Sequence, residues 1–139
     1  MMEINLWAVL AATIAMFAVG AFWYMVPFAK KWGEIHGFDK LTPKQQKDLQ
    51  AETGPLYVIQ LIVTIISAFV LVWLIAKLPG ENPYIVAGMI WLGFVLPAQA
   101  SAVIFGGSDP KWAKQKLAIM AGESLLHLQV ATLVISIIM

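Results

Sequence analysis

Residues 56–76 read LYVIQLIVTIISAFVLVWLIA, 21 consecutive residues without a charge. At a rise of about 1.5 Å per residue, a helix of this length spans the roughly 30 Å hydrocarbon core of a bilayer. A helix satisfies its own N–H and C=O groups in lipid, and the run lacks the apolar–polar alternation of a barrel strand. Three more runs of the same kind flank it, at 4–28, 84–105 and 117–139, with 25, 22 and 23 residues. Only the last of the four carries a charged side chain, Glu123. The fold class expected is therefore all-α: an integral membrane four-helix bundle forming one domain over residues 1–139. The run at 4–28 is too long for a cleaved signal peptide, has no basic n-region and is read as a retained span.

The whole chain agrees with this reading. It has 139 residues, 60% hydrophobic and 12% charged, with a mean hydropathy of +0.80. A soluble domain of that size would leave too much apolar surface in water. There is no cysteine, which removes disulfides, thiolate metal sites and thiol nucleophiles. There is no arginine either, and nine lysines against eight acids leave a net charge of +1, which argues against a nucleic-acid partner.

Lysine placement sets the expected orientation. Lys30, Lys31, Lys40, Lys44 and Lys47 lie in the first connection and Lys111, Lys114 and Lys116 in the third, while Lys77 alone lies in the second. By the positive-inside rule the first and third connections are cytoplasmic and both termini are outside. Trp32 and Trp112 fall near the inner interface, and Trp7, Trp73 and Tyr84 near the outer one. In the long first connection, 29–55, Thr42-Pro43-Lys44-Gln45 reads as a capping box with proline at the first helical position, opening a short polar helix near 43–53 that Gly54-Pro55 ends. Its polarity suits a solvated connector on the cytoplasmic surface.

Small residues recur at Ala8, Ala11, Ala12, Ala15, Ala18 and Gly20 on the first span, and at Gly88, Gly93, Ala98, Ala100 and Ala102 on the third. They let backbones approach where lipid supplies no hydrophobic drive, so the first and third spans are expected to make the tightest contact. Pro97 is expected to kink the third span and free a carbonyl near Gly93.

The candidate site is in the fourth span, Gly122-Glu123-Ser124-Leu125-Leu126-His127-Leu128-Gln129. Glu123 and His127 are four apart and share a helix face. Counted from Lys116, Glu123 lies roughly 10 Å deep and His127 about one turn deeper. Gln60 and Thr64 of the second span, Gln99 and Ser101 of the third and Tyr24 of the first reach similar depth. They are expected to converge with Glu123 and His127 in one cluster in the inner half, because unpaired polar groups are costly in hydrocarbon. A carboxyl and an imidazole on one face could relay protons or, equally, lock two helices together. Two ligands do not make a metal site and the other histidine, His36, lies in the first connection, so neither metal nor cofactor is expected. The aromatics Trp23, Tyr24 and Phe28 are read as interface belt rather than ligand cage.

Several stretches resemble an uncharacterised family of small bacterial four-span membrane proteins, domain of unknown function 1761. They are Asn5 and Trp7 in Ile4-Asn5-Leu6-Trp7, then Gly20, Trp23 and Tyr24 followed by Phe28, Lys30 and Trp32, then Trp91, Gly93 and Phe94, and finally Gly122. The resemblance implies a four-helix membrane protein of the bacterial cytoplasmic membrane and no established activity. The chain departs from it after Gly122, where an aromatic is common and Glu123 stands.

Three functions stay open. The first is small-solute or proton-coupled transport, which would need a homo-oligomer or an unusually open bundle, since four helices fill their own centre. The second is a structural or accessory subunit with the polar cluster as glue. The third is an enzyme acting on a lipophilic substrate, against which the missing arginines count. The orientation has a direct test, because the chain offers a cysteine-free background. In intact cells a membrane-impermeant maleimide should label Glu81→Cys and leave Lys47→Cys unlabelled until the cells are opened; the reverse pattern would invert the topology.

Overall fold

A computed structural model describes residues 3–139. Among them the chain is all-helical, with four helices long and apolar enough to cross a membrane. In chain order the helices are α1 (Leu6–Met25), α2 (Ala29–Ile35), α3 (Pro43–Thr53), α4 (Leu56–Lys77), α5 (Pro83–Phe105) and α6 (Ala113–Ile138). The spanning helices are α1, α4, α5 and α6. Local chemistry sets their limits. The Asn5 side chain caps α1 by accepting from the Ala8 N–H at 3.1 Å, and α1 stops ahead of Pro27. The Thr42 hydroxyl and the Gln45 side chain close a reciprocal capping box at α3. Asn82 caps α5 with Pro83 at its first turn, and Gly107, at φ +75°, turns the chain beyond its end. Helix α2 has no counterpart among the sequence-based expectations, and α6 begins at Ala113, a turn before the apolar run at 117.

In α5 the π-helical stretch Trp91–Val95 immediately precedes Leu96-Pro97. The Leu96 N–H reaches back five residues to the Trp91 carbonyl. Pro97 has no N–H to offer and its ring crowds the preceding turn, so the helix accommodates it by widening.

The helices pack in the spatial order α4, α1, α6, α5, with α1 against α6 the most extensive contact. The first and third spans therefore do not make the tightest contact; the first and fourth do. Gly20 beside Glu123 and Trp23 beside Ile119 fix an antiparallel register that sets Ala12 level with Ala131 and Ala8 level with Ile135, and all four are fully buried. On α5 the small residues Gly93, Ala98 and Ala102 are exposed, because a stripe's composition does not say which way the helix is turned. The apolar core joins Ala8, Val9, Ala12 and Met16 to Ala68, Leu71 and Val72 of α4, Ala87 of α5 and Leu128, Ala131 and Ile135 of α6. It occupies the half of the bundle nearer the chain termini. Towards the lysine-rich end α4 departs from its neighbours: residues 56–63 are all exposed, and its buried residues begin at Thr64.

Trp23 is drawn into the bundle rather than left at its rim. Its indole N–H donates to the Ile119 carbonyl at 3.0 Å, and the ring lies over Gly122, where an added Cβ would stand 3.0 Å from Trp23 Cζ2. Gly122→Ala should therefore cost about 1–3 kcal/mol by overpacking. Gly93→Ala, with nothing within 4 Å of the new Cβ, should leave stability unchanged or raise it by up to about 1 kcal/mol. Thermal unfolding of both variants in detergent checks the contrast, and equal effects would sink it.

Candidate functional site

Two faces of α6 diverge at Glu123 and Ser124. Adjacent residues point about 100° apart on a helix, so they meet different neighbours. Ser124, 1% exposed, turns towards α5. Its hydroxyl accepts the Trp91 indole N–H at 3.0 Å and lies 3.1 Å from Gln99 Oε1 and 3.0 Å from the Ala121 carbonyl, either of which can take its single proton. The same indole also points at the Ala121 carbonyl at 3.1 Å, and Gln99 Nε2 donates to the Met120 carbonyl at 3.3 Å. With Trp23 on Ile119, three successive carbonyls of one α6 turn each receive a side-chain N–H from another spanning helix.

Glu123, 8% exposed, turns the other way, towards α1 and α4. Its Oε1 lies 2.9 Å from His127 Nδ1, one turn along the same helix. Gly20 makes room for the carboxylate: a Cβ there would stand 3.3 Å from Glu123 Oε1. The pair borders a cavity of about 880 Å³ between α1, α4 and α6, in the lysine-rich half where α4 departs from the bundle. Tyr24, Gln60 and Thr64 share its wall, together with Ser67 and the aromatics Phe17, Trp32 and Tyr57. Gln60 Nε2 donates to Thr64 Oγ1 at 3.3 Å, and the Thr64 hydroxyl donates to the Gln60 carbonyl. The Tyr24 and Trp32 rings pack in a tilted contact with their centroids 4.7 Å apart. Phe17, Met25, Tyr57 and Val63 on the rim are exposed, so the cavity opens sideways onto the surface that meets lipid.

The expected single cluster is thus two. Tyr24, Gln60 and Thr64 line one cavity with Glu123 and His127, whereas Gln99 lies across α6 with Ser124 and Trp91, and Ser101 is exposed on α5. Depth from a helix end gave the level of each residue and not its direction. Nor are Trp23 and Tyr24 belt residues only, since one bonds α6 and the other lines the cavity. The signal for Trp23 and Trp91 was available: an indole N–H at membrane depth has no water to bond and must find a protein acceptor. Among the described residues no group of three or more histidine, aspartate or glutamate side chains could hold a metal ion.

A family model matches residues 7–136. The chain belongs to the DUF1761 family, described as a protein of unknown function. No curated protein and no solved structure matches the chain. In this DUF1761 protein four of the residues on which the resemblance was read meet α6: Trp23 and Trp91 donate to its carbonyls, Gly122 seats the first indole and Gly20 abuts Glu123. Tyr24 and Trp32 stand at the cavity, Trp23 and Phe28 pack in a tilted contact with centroids 4.7 Å apart, and Phe94 and Gly93 lie exposed on the π-helical stretch. Asn5 caps α1 just outside the matched residues, and Lys30 and Trp7 are exposed near opposite ends.

The two faces have different expected costs. Glu123→Leu/His127→Leu removes a hydrogen bond internal to one helix and should leave unfolding in detergent within about 1 kcal/mol of wild type or raise it. Gln99→Leu/Ser124→Ala removes the Gln99–Met120 and Ser124–Gln99 bonds between α5 and α6 and leaves the Trp91 indole only the Ala121 carbonyl, and should cost about 1–3 kcal/mol. A larger loss from the first double variant than from the second would reverse the assignment.

Proposed function

We propose that this is a multi-pass protein of the bacterial cytoplasmic membrane, with both termini outside, in which the Glu123–His127 pair carries a proton and couples it to movement of a small solute through the cavity. The observation that carries this reading is the placement of the pair. Its hydrogen bond lies within one helix and fastens no second one, while the bonds that do tie helices together run through Trp23, Trp91, Gln99, Ser124 and Gln129. A pair serving as glue would be expected to bridge two helices. This one faces a cavity instead.

The charge arithmetic supports a proton carrier. A carboxylate with a neutral imidazole has charge −1, and one added proton makes the pair neutral whether it resides on oxygen or nitrogen. The charged form is costly among apolar walls, so losing the proton favours taking up something that compensates it. The open bundle supplies the space that four tightly packed helices lack.

Two measurements test this. Infrared titration of the protein in bilayers should reveal a buried protonated-carboxyl or imidazolium band that disappears as pH rises and is changed in Glu123→Gln. Proteoliposomes of wild type should dissipate an imposed pH gradient faster than those of the same variant when an exchangeable lipophilic solute is supplied, and no faster without one. If wild type and Glu123→Gln behave alike in both, the pair carries no proton and the accessory-subunit reading takes its place.

A further inference from the structure

The wall of the cavity has a one-sided chemistry. Its ionisable groups are Glu123 and His127 on α6, Tyr24 on α1 and Tyr57 on α4, and it includes no lysine. The chain has no arginine. The lysines gather in the connections, where Lys31 and Lys111 lie over the Trp112 ring at 5.2 and 5.0 Å and Lys116 donates to Ser108. No cationic side chain in the wall is therefore available to receive an anion. Four aromatic side chains, Phe17, Tyr24, Trp32 and Tyr57, line the space that one carboxylate borders. Aromatic faces attract cations, and the attraction strengthens when the cation is desolvated. At about 880 Å³ the space falls within the range of about 300–1,000 Å³ usual for small-molecule sites.

We propose that the cavity takes a monovalent lipophilic organic cation from the bilayer, its charge set against Glu123 and its apolar body against the aromatic wall. The inference rests on the proton-carrying reading of the pair and names what that proton is exchanged for. A site with charge −1 is neutralised by one proton or by one monocation, and the apolar surroundings disfavour both together as well as neither. The cation enters as the proton leaves, so its affinity falls as pH drops and protons compete for the same carboxylate. Exposed Phe17, Met25, Tyr57 and Val63 leave the way from the lipid between α1 and α4 unobstructed. A neutral amphiphile would fit the walls only with the pair protonated and would displace no proton, and a monoanion would double the charge of the deprotonated pair.

The full-length protein in a non-ionic detergent is the material, and tetraphenylphosphonium and tetraphenylborate, nearly equal in shape and opposite in charge, are the probes. Equilibrium dialysis should give at least about tenfold tighter binding of the phosphonium. Its binding should weaken on acidification and, at any pH where the free pair holds its proton, should release a proton into weak buffer. Glu123→Gln should lose the cation, and Glu123→Asp should restore part of the binding. Equal or tighter binding of the borate by wild type overturns the proposal, as does unchanged phosphonium binding by a folded Glu123→Gln protein. The comparison of the two ions on wild type decides the matter even if the variant fails to fold. If neither ion binds while the carboxyl or imidazolium band still titrates, the cation assignment fails and the proton reading stands. If the band is absent as well, both fail.

Discussion

Hydrocarbon offers no hydrogen-bond partner, so every polar N–H that enters it must be answered from within the protein. This constraint organises the middle of the molecule. Indole and amide groups from α1 and α5 reach the membrane interior, and all three find acceptors on one turn of α6, at the carbonyls of Ile119, Met120 and Ala121. Helical carbonyls already accept one bond each, and their second lone pair remains open to a side chain. Two glycines make the approach close enough. Gly122 lets the Trp23 ring lie against α6, and Gly20 lets α1 pass beside Glu123. The α1–α6 pair that results is the spine on which α4 and α5 are hung from opposite sides.

That division assigns different work to the two faces of α6. The face towards α5 is a tie, in which the hydrogen-bond partners sit on different helices and their loss removes bonds between helices. The face towards α4 is an opening. Helix α4 holds to the core through Ala68, Leu71 and Val72 and stays clear of it over residues 56–63, so the cavity follows from where the apolar contacts run out. Glu123 and His127 stand at that boundary, where a carboxyl is shielded from bulk water yet borders space a ligand can enter. A charge in such a place is tolerated only while something balances it, and this is the physical basis for linking a proton to a second charged species.

The π-helical stretch Trp91–Val95 belongs to the same arrangement. It adjoins Pro97 and begins at Trp91, the residue whose indole reaches both Ser124 and the Ala121 carbonyl. Widening the helix there changes the azimuth of everything that follows relative to what precedes, and both Trp91 and Gln99, one on each side of most of that stretch, still face α6. The sequence placed a perturbation near Gly93 correctly but offered no means of deciding between a bend and a widened turn, because that choice depends on which side chains must be kept in contact.

Four apolar runs of membrane-spanning length, their helical state, the capping box at Thr42 with Pro43 and the pairing of Glu123 with His127 were all legible in the sequence, whereas the end of α1 ahead of Pro27 was not. Each legible feature is decided locally, by chain length against bilayer thickness, by the geometry of one helical turn, or by a proline. Which helix meets which was not legible. Small residues mark both α1 and α5, yet only the rotation of each helix about its axis determines that Ala8 and Ala12 are buried while Ala98 and Ala102 are exposed. The same unseen rotation separated Gln99 from Gln60 and turned one expected polar cluster into two. Tertiary structure decided these points because a helix's azimuth is fixed by the sum of its contacts, and those contacts come from residues about a hundred positions away along the chain, as between Trp23 and Ile119.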